Sequence, residues 1–216
     1  DLYRFDHKNN NQPFPAGPSD GGADDNESWD QGGNPASQNE AARTGFALLM
    51  LSAGIPMMTG GDERLRSLNG NNNPYNLDTG FNWLNYTVSA DQSAFFAFAR
   101  SMIAFRREHP ALHPADFYSP HQLRWFRPDG GSADAAYFND PADHAIAWLI
   151  DGTALADPAR AIYIAYNAWS GPVEFTLPPS HSWSRVVDTS IGFATKNLSG
   201  GTYTLPGRSL LLSVEK

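Results

Sequence analysis

The sequence predicts an α/β segment followed by an all-β domain: the last units of a βα array, then an antiparallel β-sandwich. Three observations carry this. Two amphipathic helical patterns with capping signals flank a short apolar run in the first half. Eight short β-rich runs, separated by Gly, Pro, Asn and Asp, fill the second half. The grammar changes across Pro110–Pro120, which divides the chain into 1–112 and 113–216.

Residues 1–37 are rich in Asn, Gly, Pro, Asp and Ser, too long a stretch for an ordinary connection. Its aromatics and the turn signals Gly21-Gly22 and Gly32-Gly33 favour a built loop over a tail. Ser37-Gln38-Asn39-Glu40 reads as a capping box that opens a helix with the stripe Ala42, Phe46, Leu49, Met50, Ala53, ended by Gly54. Ile55–Thr59, closed by Gly60-Gly61, reads as a buried parallel strand, with Pro56 tolerated near its start. Residues 62–90 return to loop grammar, crowded with Asn. Ser89-Ala90-Asp91-Gln92 then opens a second helix with the stripe Phe95, Phe98, Ala99, Met102, Phe105. Arg106 and Arg107 suit its negative end, and Pro110 stops it. The expected strands are 123–126, 135–138, 145–150, 161–166, 173–177, 184–187, 203–205 and 209–214.

Composition narrows the class. Hydrophobic residues at 41% and charged residues at 18% fit a folded globular chain. A net charge of −8 argues against a nucleic-acid partner, which needs clustered Lys and Arg, and is indifferent to neutral sugars. No apolar run reaches membrane-span length. The absence of cysteine excludes disulfides and thiolate metal sites and leaves both exported and cytoplasmic locations open. The chain opens on Asp1, without a methionine or a leader layout, and is expected to be part of something longer.

Particular runs resemble a known family. Asn9-Asn10-Asn11-Gln12, Gly17-Pro18-Ser19-Asp20-Gly21-Gly22 and Asn26-Glu27-Ser28-Trp29-Asp30-Gln31-Gly32 are similar to the long loop after the seventh barrel strand of bacterial isoamylases. Ala41-Ala42-Arg43-Thr44-Gly45 and Leu51-Ser52-Ala53-Gly54-Ile55-Pro56-Met57-Met58 resemble that family's seventh helix and eighth strand. Gly60-Gly61-Asp62-Glu63, Asn71-Asn72-Asn73-Pro74-Tyr75-Asn76-Leu77-Asp78 and Asn82-Trp83 match most specifically. The resemblance covers residues 1–115 well, and the β-rich tail in position and class. It implies the last units of a (β/α)8 barrel followed by a C-terminal β-sandwich, from an enzyme that hydrolyses α-1,6 branch points of glycogen or amylopectin. Such enzymes retain configuration with paired carboxylates roughly 5–5.5 Å apart. In the family these follow strands four and five, with a third carboxylate in a His-Asp motif after strand seven. Neither Asp1 nor Asp6 matches that motif, so no catalytic residue is assigned.

The implied partners are a branched α-glucan and the N-terminal remainder of the enzyme. Two βα units cannot close a barrel, so residues 1–110 are expected to remain associated with that remainder. No cofactor or metal site is assigned; calcium is left to the part of the enzyme outside these residues. Asp24-Asp25-Asn26-Glu27 lacks EF-hand spacing and reads as a solvated acidic loop.

The substrate-binding candidates are Trp29, Asp62, Glu63, Asn73, Tyr75 and Asp78. Amides, carboxylates and an aromatic face are the groups that bind a pyranose ring. For each a plainer reading stands beside this. Asp62 and Glu63 can cap loop amides or pair with Arg64 and Arg66, and the Asn side chains can mimic turns. Trp83 reads as core, and His7 as solvated unless the loop folds back. In the tail, Trp125, Trp148, Trp169 and Trp183 are candidates for a glucan-facing surface, with Trp148 better suited to the core and Trp169 to the surface. Two alternatives remain: a non-catalytic glucan-binding or stabilising β-module, and a branching or transglycosylating relative.

Overall fold

The computed structural model describes residues 1–25, 27–179 and 182–215. It comprises two compact units, Asp1–Ala42 with Met58–Ala99, and Arg43–Met57 with Arg100–Lys216. Helices α1 (Pro35–Leu51) and α2 (Ala90–Glu108) contribute residues to both.

The second helix follows its sequence signals closely. Ser89 Oγ accepts from Gln92 N at 3.2 Å while Gln92 Oε1 accepts from Ser89 N at 2.9 Å, a reciprocal capping box. The helix stops before Pro110, and its whole predicted stripe from Phe95 to Phe105 is buried. The first helix begins earlier than its apparent box. Asn34 Oδ1 accepts from Ala36 N at 2.9 Å and Ser37 N at 3.2 Å, with Pro35 at the first helical position, where its missing N–H costs nothing. Ala42, Phe46 and Met50 of its stripe are buried, together with Thr44 and Ala47, while Ala53 lies exposed beyond the helix end.

The predicted strand at Ile55–Thr59 is absent. The segment has no regular secondary structure and is unpaired, and Ile55 and Met57 are 96% and 88% exposed. A parallel strand is stable only with neighbours that satisfy its amides and cover its faces. Among the described residues none pairs with it.

The second unit is the β domain. Its strands are β1 (Leu123–Phe126), β2 (Ala145–Asp151), β3 (Ala161–Asn167), β4 (Val173–Thr176), β5 (Trp183–Asp188), β6 (Gly192–Asn197), β7 (Thr202–Leu205) and β8 (Ser209–Glu215). One sheet has the order β1-β2-β3-β8-β5-β6; β4 and β7 form a second, and every pairing is antiparallel. Two sequence expectations change here. Residues Ala135–Phe138 form a short helix, α3, because Asp134 Oδ1 accepts from Tyr137 N at 3.0 Å and caps the turn. The strand Gly192–Asn197 gave no sequence signal, since Gly, Lys and Asn disfavour strands and only pairing with β5 holds it.

The core lies between the sheets. Ala145, Ala147, Ala161 and Ala165 on the large sheet leave room for Tyr163, and for Phe175 and Leu205 from the small one. Such alternation of small and large side chains is what close packing requires. The opposite face of the large sheet carries Ile162, Ile164, Leu210 and Leu212, all fully buried. Trp183 belongs to the core as well, its indole N–H donating to Pro178 O at 3.2 Å, so it offers no surface for a ligand.

Candidate functional site

The first unit is built from two polar loops, residues 1–34 and 59–89, sewn together by side-chain amides. Asn10 donates from Nδ2 to Asn72 Oδ1 at 3.0 Å, and its own Oδ1 accepts from Asn72 N at 3.1 Å. Asn71 Nδ2 donates to Ala16 O at 2.9 Å, and its Oδ1 accepts from Ser19 Oγ at 3.0 Å. Asn72 Nδ2 donates to Ala23 O, and Asn73 Nδ2 to Asp20 O. Asp1 Oδ2 accepts the N–H groups of Leu68 and Gly70. Asn10, Ser19 and Asn71 are buried, which their amide and hydroxyl partners make tolerable. Gly22, at φ +79, faces this seam: a Cβ there would meet Asn72 Oδ1 at 2.1 Å. The Asn triplet therefore fastens one loop to the other.

The six candidate residues divide across this scaffold. Asp62 Oδ2 accepts from Thr59 N at 2.9 Å, and Glu63 Oε2 accepts from Gly61 N at 2.9 Å. Glu63 also lies 3.9 Å from Arg64 Nε. Both carboxylates thus cap amides of their own turn, the plainer of their two readings. Asn73 is half-buried and committed to the seam, its N–H donating to Asn71 Oδ1 at 2.9 Å. Tyr75 and Asp78 are exposed on the same loop, and Trp29 is exposed beside Asp30, its backbone N–H donating to Leu2 O.

A cleft of about 340 Å³ opens in this unit, lined by Arg4, Glu63, Arg64, Arg66, Trp83 and Tyr86 among others. Of the six candidates only Glu63 is in its lining. Arg64 stacks over Phe96 at 4.3 Å and over Tyr86 at 5.5 Å, and Arg66 donates to Asn82 O at 2.7 Å. Trp83 corrects its sequence reading: it is 72% exposed at the cleft. Its apolar neighbours Phe81 and Leu84 imitate a core run, and only the alternation with Asn82 and Asn85 hints at the surface. His7 is exposed and borders a smaller hollow with Phe5, Asn71 and Asn72. Burial raises the Tyr3 phenol, opposed in part by the adjacent Arg4.

Lys8 pairs with Asp24 at 2.5 Å; Asn26 of that acidic run lies outside the described residues. Among the described residues no three His, Asp or Glu side chains are grouped to hold a metal, and no helix is long and apolar enough to cross a membrane.

In the β domain Trp169 is at the surface as expected, packed edge-on against His144 at 4.6 Å. Trp148, expected in the core, is half-buried, its ring tilted against that of Trp125 at 5.5 Å.

The same fold is found in solved pullulanases. The chain superposes on a pullulanase from Bacillus acidopullulyticus with a TM-score of 0.67 at 24% identity, over 84% of this chain and 21% of that one. A pullulanase from Anoxybacillus sp. LM18-11, solved with maltotetraose, gives 0.64 at 16% identity, over 83% of this chain and 24% of that one. Residues 122–214 match the family described as isoamylase, C-terminal. The whole chain is 54% identical to an isoamylase of Flavobacterium sp., over 29% of that protein, and 48% identical to one of Pseudomonas amyloderamosa, over 30% of it. The chain belongs to the isoamylase family and corresponds to the C-terminal part of those relatives. It spans less than a third of their length.

Proposed function

We propose that this chain supplies part of the substrate groove and the C-terminal β domain of an enzyme that hydrolyses α-1,6 branch points of glycogen or amylopectin. Its end-to-end identity with isoamylases carries the reading. In it, residues 1–112 are the last units of a (β/α)8 barrel and residues 113–216 the β-sandwich. The carboxylates that cleave the bond come from polypeptide outside these 216 residues.

Three features support this division of labour. The carboxylates of Asp62 and Glu63 are occupied as turn caps, which suits positioning the loop better than cleaving a bond. The sewn loops are a rigid support on which Trp29, Tyr75 and Asp78 present an aromatic face and hydrogen-bonding groups to a neutral sugar. Ile55 and Met57, two positions apart in an unpaired segment, are exposed apolar side chains, and Tyr3 OH and one Asp1 carboxylate oxygen are buried without a partner. The remaining barrel strands are the partner that fits both. Pullulanases of like fold solved with malto-oligosaccharides add support for an α-glucan ligand.

The test is reconstitution. The chain alone is expected to release no reducing ends from amylopectin, and to do so once combined with the preceding part of the enzyme. Debranching by the chain alone, or none by the reconstituted pair, would overturn the proposal.

A further inference from the structure

The β domain ends on one side in an aromatic platform. A single row crosses the large sheet: Trp125 faces Trp148, Trp148 faces Ile164, and Ile164 faces Leu212. Cross-strand partners lie on one face of a sheet, so these four side chains share it. Ile164 and Leu212 have no solvent exposure, whereas Trp148 is half-buried and Trp125 is 38% exposed. The row therefore changes from aliphatic to indole where its cover runs out. The short helix α3 adds Phe138, 55% exposed, with its ring edge-on to Trp125 at 5.7 Å. Two anchors hold this helix: the Asp134 cap and a hydrogen bond from Tyr137 OH to Ala145 O. The rings are thus fixed before any ligand arrives.

From this geometry we infer that Trp125, Trp148 and Phe138 form a second α-glucan-binding surface, separate from the loops of the first unit. The inference rests on the debranching reading for the identity of the sugar. The occupant follows from the chemistry. Ring faces carry negative π density that attracts the polarised C–H groups of a pyranose, a contact that Leu or Ile cannot make. Arg127 and Asp129 on the adjoining turn pair at 3.2 Å, and Asp140 and Asp143 follow α3, so the surroundings of the rings are polar and on balance acidic. A chain of net charge −8 with such surroundings suits an uncharged polymer better than an anionic one. A branched glucan offers many chains, and a second contact raises effective concentration without altering the chemistry at the branch.

Native gels cast with amylopectin, and calorimetric titration with maltoheptaose, read this directly on the chain. Amylopectin should retard the wild type, Trp125→Ala should weaken binding at least tenfold, and Trp125→Phe should keep most of it. Ile191→Ala, at an exposed apolar residue on the turn before β6, should leave binding unchanged. Should Trp125→Ala lose its far-UV circular dichroism, Phe138→Ala on the exposed helix replaces it with the same expectation. An unretarded wild type, or unchanged binding in the folded variants, overturns the inference. So does dimerisation that depends on Trp125, because the platform would then face a second copy. Reconstituted debranching is measured separately on a small branched oligosaccharide. Activity there without retardation by amylopectin rejects only this surface, and retardation without activity rejects only the debranching reading.

Discussion

Single side chains in this protein do local work that their types foretell, and Asp151 is a measurable case. Its carboxyl is held below the ordinary 3.8, first by the hydroxyl of Thr153, whose Oγ1 donates to Oδ1 at 2.6 Å, and further by the amides of Ala154 and Thr153. A depressed folded value means the unfolded chain binds the proton more readily. The stabilisation is therefore complete above the unfolded value and is lost as pH falls through the folded one. Thr153→Val moves the folded value back toward 3.8. The variant should be less stable than wild type by about 0.5 kcal/mol at pH 6, a figure reduced for solvent screening. The gap should narrow as pH falls through the folded value. Urea titrations at successively lower pH test the sign, and a gap that widens as pH falls contradicts it. The same capping chemistry explains why Asp62 and Glu63 were ambiguous in the sequence. A carboxylate beside Gly-Gly serves a turn or a sugar equally well on paper, and the distances to Thr59 N and Gly61 N show the turn.

At the scale of elements, what could be read depended on how local the cause is. The Ser89–Gln92 box and the Phe95–Phe105 stripe act within one helix and were fully legible. Asn34-Pro35 is hard to read as the helix start because Ser37–Glu40 offers a competing box one turn later. Ala135–Phe138 is too short for periodicity to separate strand from helix, and Asp134 decides it. The burial of Asn71 could not be read, because its partners Ala16 and Ser19 lie more than fifty residues away. Arg106 shows the same dependence. It suits the dipole of its own helix, but its guanidinium donates to Met50 O at 2.6 Å, Ser52 O at 2.7 Å and Gly54 O at 2.5 Å, carbonyls in the last turn of α1 and just beyond its end. Arg106→Ala leaves these carbonyls without donors and should cost on the order of 3 kcal/mol in urea unfolding. Arg106→Lys should recover only part, since a point charge cannot span three acceptors as a planar fork does. Full recovery by lysine would mean that charge alone matters.

For the molecule as a whole, the β domain and the Ile55–Thr59 segment differ in whether their neighbours are present. The sandwich closes on itself: β3 and β8 are buried along nearly their whole length by partners in the same unit. Ile55–Thr59 has the composition of an inner strand and the exposure of a free edge. Leaving two large apolar side chains in water forfeits several kcal/mol of burial. If barrel strands from the preceding polypeptide dock there, Ile55 and Met57 become interface residues whose worth shows only in the assembled enzyme. Replacing both, as Ile55→Asp with Met57→Asp, should leave the melting of the isolated chain within about 2 °C of wild type, because exposed sites change stability little. In reconstitution the double variant should weaken association with the preceding part at least a hundredfold, since two carboxylates would have to be buried unpaired. Debranching should fall in parallel. Analytical ultracentrifugation of the mixed parts gives the first number and reducing-end release the second. Association that survives both carboxylates would place the docking edge elsewhere on the chain.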